Sequence, residues 1–129
     1  MSGLSPREVV EAASRLLEAQ RGLEAVELYF SPDYIEHNQT VPGGNLEGFV
    51  KLLQDEGFAE PSGRQVEFHI HHVMSEGDYV FVHQHIGEPG KPVVVIMDLY
   101  KVAGGRIVEH WDVWQTPPEE RANTRVEMY

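Results

Sequence analysis

The hydrophobic period of this chain changes once, at Gly63. Before that residue, apolar side chains recur every three or four positions, the spacing of amphipathic helices. After it they alternate, the spacing of strands. Helices followed by strands, rather than helices interleaved with them, argue for an α+β fold in which one curved sheet buries a face against the helices.

The helical half carries its own stop and start signals. "SPRE" (Ser5 to Glu8) is a capping box with Pro6 at the first helical position. Val9, Ala13, Leu16 and Leu17 continue at helical spacing, and Gly22 breaks the run. Leu23, Val26 and Phe30 mark a short second helix that ends at "SPD". "YIEHN" (Tyr34 to Asn38) is a brief extended piece before the loop "QTVPGG". Asn45 caps a third helix with the stripe Leu46, Phe49, Val50 and Leu53.

In the alternating half, "RQVEFHIHHVM", "YVFVHQHI", "VVVIMDLYKV" and "RIVEHWDVWQ" read as four strands. The turns "SEGD", "GEPGKP" and "AGG" are short enough to make them an antiparallel meander. The tail "TPPEERANTRVEMY" has little periodicity. With 129 residues and no internal repeat, the expectation is one domain over residues 1–129. No disulfide or metal staple is needed at this size, and the chain has no cysteine, which fits a reducing cytoplasm. The opening "MSGLSPREVV" lacks the apolar run of a signal peptide or membrane span. Ten basic against 21 acidic residues give a formal charge of −11, which repels phosphate backbones and anionic lipid. Neither nucleic acid nor membrane is an expected partner.

"VVVIMDLYKV" is apolar on both faces. Val94, Ile96, Asp98 and Tyr100 share one parity, and Val93, Val95, Met97, Leu99 and Lys101 the other. A half-solvated antiparallel strand should instead alternate. Ile107, Trp111 and Val113 likewise give the last strand an apolar face. Helices can cover only one side of the sheet, so a homodimer through the other side is expected, with the C-terminal tail as an alternative cover.

On the last strand, Val108, His110, Asp112 and Trp114 share the remaining parity. His110 and Asp112 are then about 7 Å apart along the strand. A buried carboxyl has a raised pKa and serves as acid, base or neutral donor. The ordinary alternative is a hydrogen-bonded pair at a strand end. Asp98 interrupts the most apolar strand, where Asp is depleted, and needs a partner or a shifted pKa. Pairing with Arg106, Lys101 or a turn amide would account for it without function. The seven histidines are His37, His69, His71, His72, His83, His85 and His110. "HIHH" and "HQH" have metal-ligand alternation. "GDYVFVHQH" has the spacing of a first cupin motif, but Glu88 comes too early and no second motif follows. No catalytic metal and no cofactor are therefore expected. No "GxSxG", phosphate-binding loop, dinucleotide fingerprint or cysteine nucleophile is present.

"YIEHN", "EGDYVFVHQH", "MDLYKV" and "GGRIVEHWDVWQ" together resemble the SnoaL-like family, especially its aldol-condensation branch. The resemblance extends over almost the whole chain. It implies the cone-shaped α+β barrel of the nuclear-transport-factor-2-like superfamily, a pocket between helices and sheet, and commonly a homodimer. Ketosteroid isomerases share that fold, and their strand corresponding to "MDLYKV" carries a pocket aspartate, which implies such a place for Asp98. Their general base falls near "YIEHN", where this chain has His37, and their pocket tyrosine falls near Ser14. Both departures argue against a steroid substrate. In SnoaL-like cyclases a pocket aspartate is the proposed acid/base, a role that Asp112 or Asp98 could fill.

The reading that follows is a small cofactor-free enzyme that enolises a carbonyl compound and then isomerises, cyclises or condenses it. His110 with Asp112 would be base and orienting partner, and Asp98 a donor to the enolate oxygen. His37 is a further catalytic candidate, and Tyr34, Asn38, His83, Tyr100 and Trp114 candidate pocket lining. A non-catalytic binding or dimerisation module and a metal-dependent histidine site are the competing classes.

Overall fold

The computed structural model describes residues 3–129. Met1 and Ser2, which open the stretch read for a signal segment, lie outside the described residues. The elements are α1 (Pro6–Glu18), α2 (Gly22–Tyr29), β1 (Phe30–Glu36), a 3-10 turn (Pro42–Gly44), α3 (Leu46–Asp55), β2 (Glu67–Glu76), β3 (Tyr79–Gly87), β4 (Val94–Ala103) and β5 (Arg106–Gln115). No described helix is long and apolar enough to cross a membrane.

The capping signals work as written. Ser5 accepts from the Glu8 amide while Glu8 accepts from the Ser5 amide. Asn45 accepts from the Gly48 amide at the start of α3. α1 ends at Glu18, before Gly22, which opens α2. A Cβ at this position would stand 2.6 Å from the Phe58 carbonyl oxygen, so the close approach requires glycine.

The sheet has five strands in the order β1-β5-β4-β3-β2. The meander from β2 to β5 is antiparallel, as expected. The fifth strand is the correction: the "YIEHN" piece extends back to Phe30 and pairs parallel to β5. Pro32 is tolerated because β1 is an edge strand, where a missing amide breaks no ladder.

Two bulges alter the facing of side chains. On β5, Val102 pairs with Ile107 and Lys101 with Glu109, leaving Val108 unmatched. The extra residue rotates Ile107 to the helix side, opposite to the face its parity predicts. Ile107 is 1% exposed and packs with Val9, Val10, Ala13, Phe30, Tyr34, Val80, Val82 and Val102. This cluster under α1 is the core, and each fully buried Val or Ile in it contributes about 1.5–3 kcal/mol. On β2 the ladder skips His71 between Ile70 and His72.

The other face of the sheet leaves Met74, Tyr79, Met97 and Val113 exposed. Toward β2 and β3 this face is partly covered by the segment after β5, with Tyr129 stacked on His85 and His71.

Candidate active site

The register of β1 against β5 sets Glu36 beside His110, and the register of β4 against β5 sets Tyr100 beside His110 and Asp98 beside Asp112. All five side chains therefore converge on the helix side of the sheet. His110 is buried, and both of its ring nitrogens meet carboxyl oxygens. Nδ1 lies 2.8 and 2.9 Å from the two oxygens of Glu36, and Nε2 lies 2.8 Å from Asp98 Oδ1.

Each carboxyl is held in turn. Glu36 accepts from the Tyr34 hydroxyl at 2.5 Å and from the Asn38 amide at 3.0 Å. Asp98 accepts from Gln84 Nε2 at 2.9 Å. Tyr34–Glu36–His110–Asp98–Gln84 is thus a continuous buried chain, and a partner on each side fixes every carboxyl.

The electrostatics follow from that chain. Burial opposes a charge on His110, but hydrogen bonds to Asp98 and Glu36, with their negative charge, push its pKa up to about 10. The ring is an imidazolium at neutral pH. Burial would raise the Glu36 carboxyl, yet the hydrogen bond and charge of His110, with Tyr34 and the Asn38 amide, bring it below the ordinary value. Tyr34 and Tyr100 are both pushed well above the usual phenol range, chiefly by burial and then by neighbouring carboxylates. Tyr100 stacks on the His110 ring, with centroids 4.5 Å apart.

Asp112 is held differently. It is half-buried and accepts one hydrogen bond, from Asn38 Nδ2 at 2.9 Å. The orientation of that amide is fixed because its oxygen accepts from the Thr40 amide and hydroxyl at 2.8 and 2.7 Å. Burial raises the Asp112 pKa; His110 and Asn38 act against the shift, whereas Asp98 and Glu36 add to it. Asp112 is therefore a carboxyl at the edge of the buried chain, with raised proton affinity and one oxygen without a partner among the described residues.

Asp98, His110 and Asp112 each offer a ligand atom within 4.8 Å of the others. A divalent ion would need an unprotonated ring nitrogen from His110. With both ring nitrogens donating to carboxylates, the donor set fits a proton-bridged ion cluster instead.

Sequence reasoning brought Asp98, His110, Asp112, Tyr34, Asn38 and Tyr100 to one place. His110 is not free to act as the base with Asp112 orienting it, because Glu36 and Asp98 fill both of its nitrogens. Asp98 accepts from two donors, so it is not placed to donate to an enolate oxygen. His37 stands on the opposite face, where it stacks on Trp111 at 4.6 Å and pairs with Glu109 at 2.6 Å. A strand alternates, so the neighbour of the inward Glu36 points outward. His83 also faces outward, against His72 at 2.9 Å. Trp114 has the inward parity but is 54% exposed. The residue missed was Glu36. Its signal was present, since Tyr34, Glu36 and Asn38 share a parity that excludes His37.

The fold has close counterparts among solved structures. A candidate polyketide cyclase from Acidithiobacillus ferrooxidans is 20% identical, covers 88% of this chain and 91% of its own, and superposes with a TM-score of 0.67. AclR, a candidate hydroxylase from Streptomyces galilaeus, is 16% identical over 85% of this chain and 88% of its own, with a TM-score of 0.68. A nuclear-transport-factor-2-like protein of unknown function from Burkholderia xenovorans is 16% identical over 91% and 88%, also at 0.68. No curated protein matches the sequence at a significant level. At these identities the likeness shows the nuclear-transport-factor-2-like fold. The SnoaL-like domain model matches residues 10–110, most of the chain and nearly all of the site described above. The chain belongs to the SnoaL-like family.

Proposed function

We propose that the chain is an acid/base enzyme that moves a proton next to the carbonyl of a small organic substrate, with Asp112 as the group that takes and returns it. The observation that carries this reading is the contrast within one cluster. Glu36, His110 and Asp98 saturate one another, whereas Asp112 has, among the described residues, one hydrogen-bond partner and an open oxygen, and a raised pKa. A base works best when its pKa lies near the operating pH.

In the proposed step Asp112 removes the α-proton and the carbonyl becomes an enolate. The fixed imidazolium of His110 lies under the developing negative charge, and the neutral Tyr100 hydroxyl is the nearby donor for the oxyanion. Proton return from Asp112 to another carbon gives isomerisation. Attack of the enolate carbon on a second carbonyl gives an alkoxide that takes the same proton, the balance of an aldol addition or cyclisation; a condensation goes on to lose water from that product. The cyclase and hydroxylase descriptions of the structural neighbours belong to those proteins, and they support this reading only as company within the fold.

The same reading includes a homodimer packed through the outer sheet face. It is supported by the apolar side chains Met74, Met97 and Val113, which stay exposed there.

The test uses a panel of small 1,3-dicarbonyl compounds in D2O, with deuterium entry at the α-carbon followed by NMR. Wild-type protein should exceed buffer, and Asp112→Asn should lose roughly 10²-fold or more while keeping its circular dichroism spectrum. Equal exchange by wild type and folded Asp112→Asn would refute the role of Asp112.

A further inference from the structure

The inner face of the sheet holds a polar atom that the proton-transfer step leaves unused. Gln84, in β3, is 6% exposed, yet its side-chain oxygen, Oε1, has no hydrogen-bond partner among the described residues. The amide cannot turn over to relieve this. Nε2 donates to Asp98 Oδ2 at 2.9 Å, and the reversed amide would set oxygen against that carboxyl oxygen. Oε1 is therefore fixed as a buried acceptor turned away from Asp98, and a buried acceptor without a donor is costly.

The surroundings of Gln84 are apolar. Register places it in a cross-strand row with Ile70 of β2, Ile96 of β4 and Trp114 of β5. Directly paired residues share a face, so all four lie on the inner side. Ile70 is 43% exposed, Trp114 is 54% exposed, and Ile96 is half-buried. Large apolar side chains thus keep contact with solvent on the face that elsewhere holds the core. The adjacent row, about 7 Å along the strands, contains Val82, Asp98 and Asp112. An apolar wall with one acceptor in its middle, beside the row that carries Asp112, has the make-up of a ligand site. Apolar surface gives affinity there, and a few polar groups fix orientation.

We propose that this row is the substrate-binding surface of the site, and that Gln84 selects a carbonyl compound that also carries a hydroxyl group. The apolar body lies over Ile96 and Trp114, the hydroxyl donates to Gln84 Oε1, and the carbon that loses its proton is held at Asp112. With Nε2 committed to Asp98, the amide has only an acceptor to offer. A hydroxyl satisfies it, a methyl group leaves it unpaired, and a second carbonyl oxygen opposes it. The place of the reacting carbon rests on the reading of Asp112 as the proton-transfer group; the choice of a hydroxyl rests on Gln84.

The test reads binding and needs no turnover. 3-Hydroxyacetophenone and 3-methylacetophenone have nearly the same shape and differ in the donor. Titrated into wild-type protein and followed by NMR, the hydroxy compound should bind about tenfold more tightly or better. It should shift the signals of the Gln84 side-chain amide and the Trp114 indole. Gln84→Met, checked by circular dichroism, should weaken the hydroxy compound by about tenfold or more and leave the methyl compound within about twofold. If Gln84→Met misfolds, the Gln84 amide shift in the wild-type protein gives the same answer. Equal affinities in wild type, no binding of either compound at about 5 mM, or a preference that survives in folded Gln84→Met would each overturn the proposal. So would a Gln84 signal unmoved by the hydroxy compound, the result expected if an internal water already satisfies Oε1. Failure here leaves the Asp112 exchange result standing, and failure of that exchange leaves the hydroxyl preference standing.

Discussion

The two faces of this sheet hold the same side chain in opposite electrical states. On the inner face one histidine, His110, is clamped between Glu36 and Asp98 and stays charged to about pH 10. On the outer face His83 and His85 have other histidines as neighbours, and burial pushes them toward the neutral form. The difference is not depth, because burial opposes the charge on both and His110 is the more deeply buried of the two. It is the partner: a carboxylate repays the desolvation of an imidazolium, and another imidazole does not. A histidine in a strand therefore carries no chemistry of its own until the register has assigned its neighbours.

Removing the inner partner should have the largest effect. Glu36→Ala leaves the imidazolium with one carboxylate and the Tyr34 hydroxyl with none. It should destabilise the fold by about 3–5 kcal/mol, read as a lower urea midpoint. Glu36→Gln keeps the shape and should fall between this variant and wild type. An Ala variant within about 0.5 kcal/mol of wild type would mean that the chain of hydrogen bonds contributes little.

The next effect is the pH dependence of stability. His110 titrates near 6.5 when unfolded and near 10 when folded, so its contribution is complete below pH 6.5 and is lost as pH rises through 10. Glu36 is shifted below 4.5, so its contribution is present above 4.5 and is lost as pH falls through the lower folded value. Unfolding free energy should therefore decline between pH 6.5 and 10 by an amount on the order of a few kcal/mol. A flat profile across that range would contradict the charged state of His110.

These expectations depend on register, and register was the part of the molecule that the sequence expressed least. Caps at Ser5 and Asn45, the α1 and α3 stripes and the antiparallel meander were legible because each is a local pattern. The placing of β1 beside β5 was not, since parallel pairing between residues about 75 positions apart leaves no local mark. The site divided the same way. His110, Asp112 and Asp98 stood out as polar residues in apolar strands. Glu36 was hidden beside a more conspicuous histidine, although the parity of Tyr34 and Asn38 pointed to it. The bulges at Val108 and His71 defeated the alternation rule outright, because one extra residue reverses every facing beyond it.

The smallest effect on folding should come from the outer face. Val113 is 71% exposed, so Val113→Asp should change the stability of an isolated chain by no more than about 0.5 kcal/mol. If two copies pack through this face, the same change should convert a dimer into a 14.6 kDa monomer in sedimentation at micromolar concentration. A wild-type chain that sediments only as the monomer would remove the dimer from the account.

The inner clamp is tested most directly by the nitrogen chemical shifts of the His110 ring, followed by NMR from pH 5 to 9. Both ring nitrogens should stay protonated through that range, with the change of state near pH 10, while His83 and His85 titrate below the ordinary imidazole value. A His110 ring that loses a proton near pH 6.5 would contradict the clamp, and with it the assignment of Asp112 as the group left free to act.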